Sequence, residues 1–168
     1  MSSNQYQILT KRPELISERL PADWGAGYHN VHLGVSIENQ NYWSRAAILA
    51  KVPAAKRFLS LEPLLGPINV LEEVDGLFPI EHVDLLIIGG ESGNDNGLYR
   101  YRPCEIEWIE QIVSDLRTYA PHVRIFVKQL GTYQYHKLGL SDRHGADMDS
   151  WPKNLEHLKI RELIPFNN

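Results

Sequence analysis

A chain of 168 residues with 43% hydrophobic and 23% charged side chains is one domain's worth of sequence, long enough to bury a real core. Its formal net charge of −4 argues against a nucleic-acid surface, which normally carries a basic excess, and no apolar run approaches a membrane span in length. The single cysteine, Cys104, excludes an internal disulfide or a thiolate cluster built by this chain alone, and with no signal-peptide pattern a reducing cytoplasm is the expected location.

Met1 to Gln5 reads as a short disordered start. Tyr6–Thr10 follows as a first strand ending at Lys11-Arg12, and Pro13 then opens a short helix to about Leu20, with Glu14 at the positive end of its dipole. A loop through Trp24, Gly25 and Gly27 leads to a second strand, Val31–Ile37, which ends at Glu38-Asn39. A helix is expected over Tyr42–Val52, with Tyr42, Ala46 and Leu49 on one face, until Pro53 stops it. The third strand, Arg57–Leu61, exits at Glu62-Pro63, where a proline is tolerated. Leu64–Pro79 is irregular, with at most a short helical piece at Leu71–Val74.

The fourth strand lies in Val83–Gly93, where branched apolar residues give way to Gly89-Gly90-Glu91-Ser92-Gly93. Continuous apolar runs of this length read as strands buried on both faces, a feature of parallel sheets covered by helices. Asn94–Tyr101 is a polar loop with a turn signal at Asn96-Gly97. A long helix spans about Pro103–Tyr119 with the stripe Ile109, Ile112, Val113 and Leu116, and a fifth strand, Arg124–Val127, ends at Lys128-Gln129. Leu130–Asn168 is expected to be loop-rich, closing on an extended piece at Lys159–Ile164. Alternating β and α units without a linker or repeat predict a single α/β domain over residues 1–168. Its core is either a partial (β/α) barrel or an open parallel sheet of about five strands with helical crossovers.

In such folds the chemistry sits where the strands end. The ends here carry Lys11, Arg12, Glu38, Asn39, Glu62, Glu91, Ser92, Lys128 and Gln129, which together make candidates for a polar ligand pocket. Any one of them alone is where a chain leaves its core. As a set, the carboxylates must pair with Lys11, Arg12 or Lys128 or bind something. Other motifs carry less. Gly89–Gly97 is neither a P-loop nor a dinucleotide fingerprint, and the histidines, His136 and His144 included, lack zinc spacing. Ser92 invites comparison with the hydrolase nucleophile elbow, but the residue order departs from it and no triad can be assigned. Cys104 precedes a helix, where a thiol's pKa can fall, although a lone thiol is more often structural.

Several segments match more than a fold pattern: Gln7–Pro13, Leu33–Gln40, Arg57–Pro67, Gly89–Gly93, Phe126–Gly131 and Trp151–Leu155. Together they resemble the uncharacterised phage and bacterial family of phage protein Gp-thirty-seven/Gp-sixty-eight, a domain of unknown function. The resemblance covers nearly the whole chain. That family is distantly similar to radical S-adenosylmethionine enzymes, and its longer members carry an upstream cysteine cluster of the iron–sulfur type. The resemblance therefore implies the C-terminal part of a barrel. No cofactor is expected in this chain alone, and S-adenosylmethionine and an iron–sulfur cluster enter only if a partner supplies the cysteines. It also implies a phage origin and a host-cytoplasmic location.

Five strands cannot close an eight-stranded barrel, so the open edges need a cover. A second polypeptide, the Leu130–Asn168 tail, self-association or a different protein would each serve. Three functions stay open at this level. The chain is an enzyme part that binds a small polar ligand, or a non-catalytic phage protein that binds and inhibits a host protein such as a defence complex. Alternatively, it is a fragment without activity of its own.

Overall fold

The computed structural model describes residues 4–94 and 100–165. Most of the disordered start expected at Met1–Gln5 and the whole Asn96-Gly97 turn lie outside the described residues. Five strands, β1 (Tyr6–Thr10), β2 (Val31–Ser36), β3 (Lys56–Leu61), β4 (Leu85–Gly89) and β5 (Arg124–Gln129), form one parallel sheet in the order β1-β2-β3-β4-β5. Each falls within a residue or two of an apolar run in the sequence. The expected α/β fold is observed as an open sheet.

A strictly sequential order leaves no switch point, and the helical crossovers that follow β2 and β4 cover the same face. Alternate side chains of the strands, among them Val35, Leu59, Leu61, Leu86, Ile88, Ile125 and Val127, share one buried core with α2 (Ser44–Ala50) and α3 (Ile106–Tyr119). The stripe Ile109, Ile112, Val113 and Leu116 is buried as its spacing predicts. Along α2 the buried residues are Ala46, Ala47 and Leu49, with Trp43 just before it; Tyr42 is instead exposed in a 3-10 turn, under the Arg45 guanidinium at 4.0 Å. Ala46 and Leu49 are buried as expected, whereas Tyr42 lies in the 3-10 turn Gln40–Tyr42 that precedes the helix, and Trp43 takes the buried place instead.

The other face of the sheet carries Gly34, Phe58, Leu85, Ile87 and Phe126. Gly34 is required there, since a Cβ would lie 2.3 Å from the Phe58 ring. Phe58 and Leu85 form a second, small cluster with Ile164 from the tail. Helix segments elsewhere are shorter than expected. The piece after β1 is a 3-10 turn, Pro13–Leu15, running into α1 (Ile16–Arg19), and Leu71–Val74 is not helical but an irregular stretch that ends in a bridge from Val74 to Leu77.

The region expected to be loop-rich holds a further helix, α4 (Gly131–Leu138). Its fully buried residues are Gly131, Thr132 and Gln134, and only the half-buried Tyr135 and Leu138 add apolar contact with the core, a stripe too short for periodicity to reveal. The extended piece expected at Lys159–Ile164 runs antiparallel beside β5: Val127 N donates to Ile160 O at 2.8 Å and Glu162 N to Ile125 O at 2.9 Å. The tail therefore covers the β5 edge.

Candidate functional site

The register stacks the side chains of the second face in rows. Leu9, Gly34, Phe58 and Leu85 form one row, and Ser36, Ser60, Ile87 and Phe126 form the next toward the strand ends. Beyond them stand Glu62 and Lys128. A cavity of about 370 Å³ opens here, with an apolar floor of Leu9, Phe58, Leu85, Ile87 and Phe126 and a polar end of Ser60, Glu62 and Lys128. An ion pair at the mouth of an apolar cavity offers one site for each sign of charge on a small ligand.

Every rim carboxylate has a cationic partner inside the chain. Lys128 Nζ lies 2.8 and 3.0 Å from the two oxygens of Glu62. Glu38 is paired with Lys11 and also accepts from Arg45 Nη1 at 3.0 Å, while that same nitrogen donates to Ser36 O at 2.8 Å. Glu91 is held by Arg102 through Nε at 2.9 Å, Nη2 at 2.5 Å and the backbone N at 2.7 Å. Those hydrogen bonds from Arg102 hold the Glu91 carboxyl below the usual carboxylate range. Of the cations the sequence offered, Lys11 pairs with Glu38 and Lys128 with Glu62, while Arg12 pairs with none of the three carboxylates. Arg45 and Arg102 are additions that sequence reasoning missed. Arg45 sits in the first turn of α2 and reaches back to Glu38 across the extended Asn39 and the 3-10 turn Gln40–Tyr42, and Arg102 reaches Glu91 from eleven residues away, so neither pairing has a periodic signal.

The remaining candidates divide. Arg12 is exposed, meets Glu14 at 3.5 Å and lines a groove on the helix-covered side, away from Glu62 and Lys128. Asn39 caps the following turn, its Oδ1 accepting from Asn41 N at 3.0 Å. Gln129 and Ser92 do come together: Gln129 Nε2 donates to Ser92 Oγ at 2.7 Å and to Gly90 O at 2.9 Å. His144, set aside in the sequence as a loop residue, brings Nδ1 to 2.9 Å from Ser92 Oγ. The contact spans 52 residues of sequence, so no local pattern announces it.

Cys104 is fully buried, and burial pushes its thiol up to about 12, the reverse of the lowering that a helix start favours. Among the described residues no group of three His, Cys, Asp or Glu side chains is placed to hold a metal ion. An iron–sulfur cluster normally takes several thiolates, and the sequence holds one thiol, the buried Cys104. No helix is long and apolar enough to cross a membrane.

No curated protein and no solved structure matches the chain significantly. A family model described as "Protein of unknown function (DUF5131)" matches residues 1–158, which takes in the whole sheet, the rim pairs and the Ser92–His144 contact. By that match the chain belongs to this family of proteins of unknown function.

Proposed function

We propose that this chain is a phage-derived part of a (β/α) barrel, similar to that of radical S-adenosylmethionine enzymes, that binds a small polar ligand at its strand ends. For catalysis it needs further β/α units from a partner. One observation carries the reading: a sequentially wound parallel sheet presents an apolar cavity topped by the Glu62–Lys128 pair, directly beside the β1 edge, which no other strand among the described residues pairs. Tyr6, Ile8 and Leu9 on that edge are about half exposed, at 53, 52 and 49%. On the helix-covered side the edge is flanked by a groove of about 590 Å³ lined by Ile8, Leu15, Ile16, Leu20 and Trp24 among others. A strand added to β1 and an amphipathic helix laid in that groove would continue the winding of the wall. An iron–sulfur centre and S-adenosylmethionine enter only with a partner that brings the cysteines.

The same bare edge is the observation favouring the second reading, a non-catalytic protein that occludes a host protein such as a defence complex. To separate the two, the tagged chain is expressed in its native host with a photo-cross-linking residue at position 8, and cross-linked chains are identified by mass spectrometry. The barrel reading expects a cysteine-bearing β/α chain, joined through the β1 edge. In that complex Glu62→Ala lowers activity and leaves assembly intact. A host protein of another class, captured equally by Glu62→Ala, moves the assignment to the inhibitor. If the edge captures nothing in the native host, both readings fail.

A further inference from the structure

The contact between Ser92 and His144 is built into rigid backbone on both sides. Gly90 sits so close to the β5–α4 junction that a Cβ would lie 2.2 Å from Leu130 O. Beyond it, Glu91 O accepts from Thr132 N at 2.9 Å and Gly93 N donates to Thr132 Oγ1 at 3.1 Å, so the residues on either side of Ser92 are both tied to α4. His144 is mounted on the same helix start, its carbonyl accepting from Gly131 N at 2.9 Å. The turn that carries it is closed by Ala146 N donating to Asp142 Oδ2 at 2.7 Å. Two exposed side chains are thereby held in register by loops that follow different strands.

The direction of the hydrogen bonds follows from Gln129. Its side-chain nitrogen faces the Gly90 carbonyl, which can only accept, so the amide orientation is determined and Ser92 Oγ accepts from that same nitrogen. Ser92 keeps its own hydrogen to give, and His144 Nδ1, 2.9 Å away, accepts it in the tautomer that carries its hydrogen on Nε2. A donated amide hydrogen also stabilises the oxygen as it becomes an alkoxide. Because Ser92 is exposed, the oxygen remains open to an incoming electrophile.

We propose that Ser92 is a nucleophile toward activated carboxylic esters, with His144 as its general base and Gln129 as a positioning residue. In the first step Oγ bonds to the ester carbon, the Ser92 proton passes to His144, and His144 delivers it to the departing alkoxide as the carbon–oxygen bond breaks. Water then attacks the acyl-serine, giving a proton to His144, and that proton returns to Ser92 as the acid leaves. The Gly93 amide, the nearest donor for an oxyanion, is committed to Thr132 Oγ1. Losing one such donor costs roughly 100- to 1000-fold, which restricts the site to esters of acidic alcohols or phenols rather than amides. The dyad is complete within this one chain and does not rest on completion of the barrel.

The test is the purified chain incubated with a fluorophosphonate, in which Oγ bonds to phosphorus, fluoride leaves and the proton goes to His144. Intact mass and peptide mapping read the adduct. The expected result is a single adduct on Ser92, absent in Ser92→Ala, formed about 100-fold more slowly in His144→Gln and unchanged in the exposed control Ser141→Ala. Circular dichroism establishes that each variant is folded, since neither side chain belongs to the core. No adduct, an adduct elsewhere, or an unchanged rate in His144→Gln overturns the proposal.

Discussion

The two edges of the sheet are treated in opposite ways. Beside β5 the chain folds back on itself: the tail donates and accepts along the strand, and Glu162 Oε2 takes Ile125 N at 2.9 Å while Oε1 takes Arg117 Nη2 at 2.7 Å. Beside β1 nothing among the described residues runs along the strand, and Tyr6, Ile8 and Leu9 stand in solvent. Unpaired strand edges invite association, so proteins cover or charge them. One edge here is finished by the chain's own tail, and the other is left apolar and available. The difference makes β1, rather than β5, the edge that the described residues leave uncovered.

The largest effect should come from removing the covered edge. Truncation after Leu158 exposes β5, unpacks Ile164 from Phe58 and Leu85, and loses the tail's hydrogen bonds. We expect a loss of roughly 3–5 kcal/mol and a tendency to self-associate, read by thermal unfolding and size-exclusion chromatography. An unchanged melting temperature would show that the strap is ornamental. A gentler break is Glu162→Ala, which leaves the backbone pairing but orphans Ile125 N and Arg117; about 1–2 kcal/mol should go, by urea denaturation.

Next in size is a pH effect one strand in from the bare edge. His32 on β2 is buried, its Nδ1 has no hydrogen-bond partner, and burial lowers its pKa below the ordinary histidine value of 6.5. The unfolded chain therefore takes up a proton that the folded one resists. His32 contributes no penalty above pH 6.5, and stability falls as the pH drops from there toward its lowered folded pKa. Unfolding curves between pH 8 and 5 should show this decline, and His32→Gln should flatten it. An identical slope in the variant would place the effect elsewhere. The smallest change in stability belongs to the open edge: Leu9→Lys should shift unfolding by no more than about 0.5 kcal/mol while abolishing any association through β1. Loss of stability comparable to that of Glu162→Ala would mean that Leu9 is already packed within the chain.

The legible part of the molecule was the part written in local pattern. All five strands announced themselves as apolar runs ending in polar residues, and α3 showed its stripe. The carboxylates Glu38, Glu62 and Glu91 were found because they follow those runs directly. Helix α4 escaped because its fully buried residues are glycine, threonine and glutamine, which no hydrophobic period marks. Periodicity places Tyr42 on the packed face with Ala46 and Leu49, but the helix starts only at Ser44, and the 3-10 turn before it leaves Tyr42 exposed and buries Trp43.

The residues alone thus determined a sheet of about five strands, its parallel winding and which ionisable groups follow the strands in the chain, since period, turn chemistry and charge placement act over a few residues. Tertiary structure decided the rest. It chose Arg45 and Arg102 as counter-ions, turned Arg12 away from the rim, carried the tail to β5 and brought His144 to Ser92. Each of those is a contact between segments that only the packed sheet and its loops hold together, and a long-range contact leaves no periodic trace in the sequence it joins.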